Sequence, residues 1–164
     1  MIKLADIITA DTWITSDHHW GHDNIRKFQN RPWNHFELMR ERWIETVAED
    51  DTVLHLGDLV CYAYRREESP ESWIEGLPGK KFIILGNHDK YKTSWYERNG
   101  FSVVGRGDKP FMWNNICFSH EPLDGDWRLN IHGHTHLNNP PRPGKVNVSI
   151  EATDYRPVRL RDII

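Results

Sequence analysis

Apolar and polar positions alternate in short bursts through the N-terminal half of the chain. TWITSD (12–17) and TVLHLGD (52–58) are β-rich runs that each end on an aspartate, and KKFIILGNHD (80–89) is a third such run leading into a turn. Between the first two, Phe36, Met39, Trp43, Ile44 and Val47 recur at helical spacing. Asn34, with Glu37 three residues on, predicts a capping-box start for that helix. KTSWYERNG (92–100) predicts a short helix closed by Gly100. From Phe101 onward the pattern changes to short strands between turn residues: FSVV, NICFSH, LNIHGH, KVNVSI and PVRL. A βαβαβ half followed by a β-rich half predicts an α/β fold, a two-sheet β-sandwich flanked by helices, in one domain over residues 1–164. The polar stretch RREESPES (65–72) reads as a surface loop, and no linker or repeat interrupts the chain. Each polar cluster falls at the C-terminal end of a predicted strand, the edge where open α/β sheets bind ligands.

Composition narrows the class of protein. With 164 residues, 38% hydrophobic and 27% charged, the chain is that of a globular domain, which excludes disorder and fibres. Its length supports a core without staples. The two cysteines, Cys61 and Cys117, have no paired spacing and are expected to be reduced. MIKLADIITADTW carries acidic residues in place of a signal-peptide core, and no run of apolar residues is long enough to cross a membrane, so a cytoplasmic location and no membrane partner are expected. A net charge of −3 lacks the basic excess of a protein held on nucleic acid by phosphate contacts alone, but leaves room for an enzyme that visits it.

Histidine changes the picture. Of ten, eight fall in short clusters: His18, His19 and His22; His88; His120; His132, His134 and His136. With Asp17, Asp58 and Asn87 they form five blocks, Asp17-His18-His19, Gly57-Asp58, Gly86-Asn87-His88-Asp89, Ser119-His120 and Gly133-His134-Thr135-His136. Two carboxylates, an amide oxygen and several imidazoles, with no thiolate among them, suit a catalytic centre of borderline or hard divalent cations rather than a structural zinc finger. In an extended segment the D-x-H and H-x-H spacings put both side chains on one side, able to hold one ion or straddle two. The glycines before Asp58, Asn87 and His134 fit turns in which backbone approaches the site closely. Six or seven ligands exceed the needs of one tetrahedral ion and suit two, about 3.5–4 Å apart.

In this order the blocks resemble the signature of the calcineurin-like metallophosphoesterase superfamily, over residues 17–136. The extension SDHHWGHDNI, with Arg31-Pro32, is similar to a branch of small, cap-free bacterial and phage members. The resemblance implies a first metal on Asp17, His19 and His136, a bridging Asp58, and a second metal on Asn87, His120 and His134. It implies two divalent ions, Mn2+ first, with Fe, Zn, Ni or Mg as alternatives. A hydroxide held between them would attack phosphorus while His88 protonates the leaving oxygen, with Asp89 expected to orient that imidazole. The expected activity is phosphodiester hydrolysis on small diesters or cyclic nucleotides. Nuclease and phosphomonoesterase or protein phosphatase activity are the alternatives, and a noncatalytic interaction module is the reading from another class. Nucleic acid is a further expected partner, and the oligomeric state stays open. His22 and Asn24 are candidate substrate contacts. Arg26, Lys27 and Arg31 are candidates for holding a phosphate, and Trp20 and Trp127 for stacking on a base. His18 and His132 are expected to pack or to support the ligands. His35, His55, Trp13, Trp43 and Trp113 are read as structural, and Arg65-Arg66 and Lys80-Lys81 as solvated surface.

Overall fold

The computed structural model describes residues 4–61, 69–107 and 109–164. Residues 65–68 of the expected surface loop, with Arg65-Arg66, lie outside the described residues. The elements in chain order are β1 (Trp13–Thr15), α1 (Ile25–Gln29), α2 (His35–Thr46), β2 (Thr52–His55), α3 (Glu71–Ile74), β3 (Lys80–Leu85), α4 (Thr93–Arg98), β4 (Phe101–Arg106), β5 (Phe111–Trp113), β6 (Ile116–Ser119), β7 (Leu129–His132), β8 (Lys145–Asn147) and β9 (Val158–Arg159). They form two sheets, ordered β4-β3-β2-β1-β9 and β5-β6-β7-β8. β1 to β4 run parallel, and so do β6, β7 and β8. Among the described residues only β9 and β5 pair antiparallel to their neighbours. This is the expected two-sheet α/β fold flanked by helices.

Period-two alternation divides the strands between two cores. Ile14, Leu54, Leu56 and Ile84 face Ile116, Phe118, Ile131 and Val148, filling the space between the sheets. Val53, Ile83 and Leu85 point the other way, onto Met39 and Trp43 of α2, Ile74 of α3 and Trp95 and Tyr96 of α4. Trp43 is fully buried and donates its indole N–H to the Pro78 carbonyl at 3.0 Å, so this indole leaves no unpaired donor in the core.

Local signals were honoured unevenly. Gly100, at φ +81°, takes the left-handed turn just past the Asn99 cap and ends α4 as expected. Asn34 caps α2 by position only, with no side-chain bond to the helix, so the capping box did not form. Two residues of the expected loop, Glu71 and Ser72, begin α3, because Ile74 buries its side chain against the helical core. Lys81 is half-buried, not solvated, and gives its ammonium to the Leu77 and Gly79 carbonyls. Among the described residues no helix is long and apolar enough to cross a membrane. Both cysteines are buried and outside any disulfide.

Candidate metal centre

All five sequence blocks emerge at the C-terminal ends of parallel strands: Asp17 and His19 after β1, Asp58 after β2, Asn87 and His88 after β3, His120 after β6, and His134 and His136 after β7. Because both sheets deliver their strand ends to one edge, side chains from the two halves of the chain meet there. An isolated parallel bridge between Ser16 and Ser149 ties the sheets together beside the site.

The side chains form two groups. Ligand atoms of Asp17, His19 and His136 lie within 4.8 Å of one another, as do those of Asp58, His120 and His134. Asn87 joins the second group, with Oδ1 2.9 Å from His120 Nε2 and 3.1 Å from His134 Nδ1. Asp58 stands between them, its Oδ2 3.6 Å from His19 Nε2 and 3.3 Å from His120 Nε2. The H-x-H pair therefore straddles the groups, whereas the D-x-H pair stays in one.

The backbone reaches this arrangement by a route that strand alternation does not give. Asp17, His19, Asp58, His134 and His136 all have positive φ, between 47° and 66°. Their side chains converge through left-handed turns, not from an extended segment as the spacing suggested. Asp and His tolerate this region better than branched residues, but several such residues together need their surroundings to hold them. Neighbouring glycines make the room: a Cβ on Gly57, itself at φ +104°, would stand 2.7 Å from His120 Nδ1, and one on Gly133 would run into Ser16 Oγ and Asp17 Oδ2.

Buried partners orient the imidazoles. His120 donates from Nδ1 to the Leu56 carbonyl at 2.8 Å, which leaves Nε2 facing Asp58 and Asn87. His136 donates from Nδ1 to both Glu151 oxygens at 3.0 Å, and its Nε2 faces Asp17. His19 is buried, and among the described residues neither of its ring nitrogens has a nitrogen or oxygen hydrogen-bond partner. Burial disfavours charge on His120, but the hydrogen-bonded Asp58 and the nearby Asp17 outweigh it and raise the pKa to about 9. Burial would also raise Asp58, yet His120 and His19 hold its carboxyl well below the usual range. A site that draws protons when it holds no cation is one where a cation would replace them. Oxygen donors, nitrogens already committed to the ligand tautomer and unpartnered His19 nitrogens all fit divalent ions of the Mn2+ to Zn2+ series.

Three expected roles change. Trp20 is fully buried, stacked on His18 at 5.2 Å and on Trp73 at 6.3 Å, so it is a core residue and presents no face to a base. The Arg31 side chain is also buried and gives its donors to the Asp17 and His18 carbonyls, at 2.6 and 2.7 Å, and to Glu151. It braces the first ligand turn instead of reaching for phosphate. Asp89 does not touch His88; it accepts the backbone N–H groups of Asp58, Gly86 and Val60 at 2.7, 2.9 and 3.2 Å and the Tyr96 hydroxyl at 3.2 Å. Burial and the charge of Asp58 push its pKa up to about 7, against N–H donors that favour the carboxylate. Asp89 thus pins the loops after β2 and β3 together.

His88 is exposed beside the site, its ring 5.3 Å from that of His19 and its backbone N–H donated to Asp58 Oδ1 at 2.8 Å. The Cys61 thiol, 3.8 Å from Nδ1, is the main reason its pKa rises. Asn24 is exposed, and Arg26 is partly exposed and paired with Asp23 at 3.2 Å; His22 is buried near His19. His18 bonds His55 across the core at 2.9 Å, and His132 bonds the Gly133 carbonyl at 2.8 Å; both are packed, as expected. Glu151 was missed in the sequence, where an acid after a strand is too common to signal a role.

Comparison with known proteins agrees with this geometry. The chain is 34% identical to the uncharacterized protein MJ1445 of Methanocaldococcus jannaschii, over 93% of this chain and 88% of that one. Its fold resembles a protein of unknown function from Aquifex aeolicus, AQ665, with a TM-score of 0.74 at 24% identity, covering 93% of this chain and 96% of the other. It also resembles the Pseudomonas putida nuclease MPE, with a TM-score of 0.56 at 22% identity, covering 77% and 62%. The model of the calcineurin-like phosphoesterase family matches residues 11–156, a span that takes in every strand-end block of the site, and the chain belongs to that family.

Proposed function

We propose that this metallophosphoesterase is a phosphodiesterase, acting on small phosphodiesters or cyclic nucleotides with two divalent cations, Mn2+ first among them. The observation that carries the reading is the pair of ligand groups sharing Asp58, with His88 exposed at their edge. Asp17, His19 and His136 would hold one cation, Asn87, His120 and His134 the other, and Asp58 both. Two cations held there would make hydroxide available near neutral pH and neutralise the nonbridging oxygens of the ester. The chain's own residues do the rest. Glu151 and the Leu56 carbonyl fix the tautomers of His136 and His120. Asp89 sets the distance between the Asp58 and Asn87 loops. His88, whose pKa is raised by the neighbouring Cys61 thiol, stands where its ring would protonate the departing alkoxide, worth about 10²–10⁴-fold in rate.

The test is hydrolysis of an aryl phosphodiester beside the matching monoester, with Mn2+ and with chelator, at a pH near 8. Diester turnover that chelator abolishes supports the reading; turnover of the monoester alone overturns the preference for diesters. His88→Ala should retain both cations and lose about 10²–10⁴-fold in turnover.

A nuclease is the second reading, favoured by one surface observation. Phe28 and Trp33, 69% and 80% exposed, lie on the segment that leaves the first ligand block, with the exposed Lys27 and the partly exposed Arg26 next to Phe28. Exposed aromatics interleaved with basic residues suit stacked bases and a phosphate backbone. The neighbour from Pseudomonas putida is itself named a nuclease. Cleavage of single-stranded DNA faster than the aryl diester, slowed by Trp33→Ala, would select this reading.

A further inference from the structure

A third set of donors lies against the site on the side of His88. Ligand atoms of His19, His22 and Cys61 are within 4.8 Å of one another, and all three residues are buried. Their chemistry differs from that of the two groups above: two imidazoles and a thiol, with no carboxylate. We propose that His19, His22 and Cys61 form a site for one soft or borderline cation, Zn2+ or Co2+ in preference to Mn2+, distinct from the carboxylate-rich pair of groups but sharing His19 with the first of them.

The backbone holds these donors in place. His22 N–H bonds the His19 carbonyl at 3.0 Å, a tight turn that brings the two rings within 6.2 Å. Cys61 comes from the loop after β2, which an isolated bridge between Trp20 and Val60 aligns with the loop after β1. Asp89 accepts the Val60 N–H at 3.2 Å, so the residue before the thiol is fixed as well. Trp20, between His19 and His22 in the turn, is locked in the core. Tetrahedral bonds near 2.0–2.1 Å to nitrogen and 2.3 Å to sulfur set ligand atoms about 3.3–3.7 Å apart, inside the 4.8 Å within which these three lie.

Thiolate and imidazole select the softer end of the series, whereas carboxylate and amide oxygens suit Mn2+ and Mg2+. Two ligand fields therefore meet at one imidazole. The thiol also lies 3.8 Å from His88 Nδ1. A cation bound through Cys61 draws on His19, which serves the first group, and withdraws the thiol from His88.

Cobalt is the probe, because a Co2+ bound by thiolate absorbs in the near ultraviolet by charge transfer and one bound only by oxygen and nitrogen does not. Co2+ is titrated into the full-length chain already loaded with Mn2+, and the band is followed beside elemental analysis. The expected result is a saturable thiolate band at one Co2+ per chain. Cys117→Ser should keep the band and Cys61→Ser should abolish it, while His22→Gln should weaken the Co2+ affinity read from the band at least tenfold. No band in the unsubstituted chain, or a band that survives Cys61→Ser, overturns the proposal. Should Cys61→Ser fail to fold, a His22→Gln variant with the same band at the same Co2+ concentration overturns it equally.

Discussion

Glu151 touches the site only through other side chains, yet the orientation of a ligand depends on it. Its carboxylate accepts a hydrogen bond from His136 Nδ1–H and is held by Arg31, whose remaining donors brace the Asp17 and His18 carbonyls. Burial alone would raise its pKa, but the hydrogen bond from His136 and the charge of Arg31 bring it down to about 2, so it stays ionised and His136 keeps Nε2 for a cation. Glu151→Gln is expected to weaken cation binding in the first group about 10–100-fold, read by competition with a chromophoric chelator, while leaving the second group's affinity near normal. Arg31→Met should cost more, roughly 3–5 kcal/mol in urea unfolding, because it strands a buried carboxylate. That the seven candidate ligand positions and His88 come together at one edge could be read from residue type and order along the chain. Arg31, Trp20 and Asp89 could not be assigned correctly, because in sequence a buried arginine near a ligand block looks like a phosphate clamp, a core indole looks like a stacking face, and Asp89 stands next to His88 while its side chain turns to backbone N–H groups from another loop.

Strands, helices and the loops joining them were legible to different depths. Period-two runs such as TVLH and FIIL, together with Gly100, placed the parallel core strands and the end of α4, because those signals are local. The conformation of the ligand loops was not legible: D-x-H suggested extended chain, whereas Asp17 and His19 are left-handed. That conformation is imposed from outside the segment by the Gly57 carbonyl on the Asp17 N–H at 3.0 Å, the Asp58 carbonyl on the His19 N–H at 3.0 Å, and Arg31. Gly133 tests this close packing of strand ends. In Gly133→Ala the added methyl meets Ser16 and Asp17, so the β7 loop must back away from the β1 loop. The expected result is a loss of about 1–3 kcal/mol in the unfolding free energy of the metal-free chain together with loss of first-group binding. Unchanged stability and cation stoichiometry would show that the loops have slack.

Across the whole molecule, two sheets and their helices set histidines into surroundings that pull their protons in opposite directions. His18 and His55 lie fully inside the domain; the Gly57 N–H bonds His55 Nδ1 at 3.1 Å, so His55 Nε2–H donates to His18 Nδ1 and the pair is neutral. Burial lowers both pKa values, that of His55 to about 3. Lowered below an unfolded value of about 6.5, these groups stabilise the fold in full above that pH and lose their contribution as pH falls from 6.5 toward 3, by up to about 1.4 kcal/mol per unit per proton. His120 has the opposite sign in the metal-free chain: raised to about 9, it stabilises in full below 6.5 and loses its contribution as pH climbs to 9. His55→Asn should therefore flatten the acid side of the stability profile of the metal-free chain and leave the alkaline side in place, measured by urea unfolding at pH 5, 7 and 9. Fold class and the edge that carries the site could be read in advance, because five ligand blocks follow five strands; the supporting shell could not, since Arg31 and Glu151 are 120 positions apart and meet only once both sheets are formed. Two cations sharing Asp58 are tested most directly by the number of Mn2+ ions bound per chain at equilibrium dialysis, with Asp58→Ala beside the unsubstituted chain. Two are expected for the unsubstituted chain, and a loss from both groups in Asp58→Ala. A single ion, or two that survive removal of Asp58, would contradict that sharing.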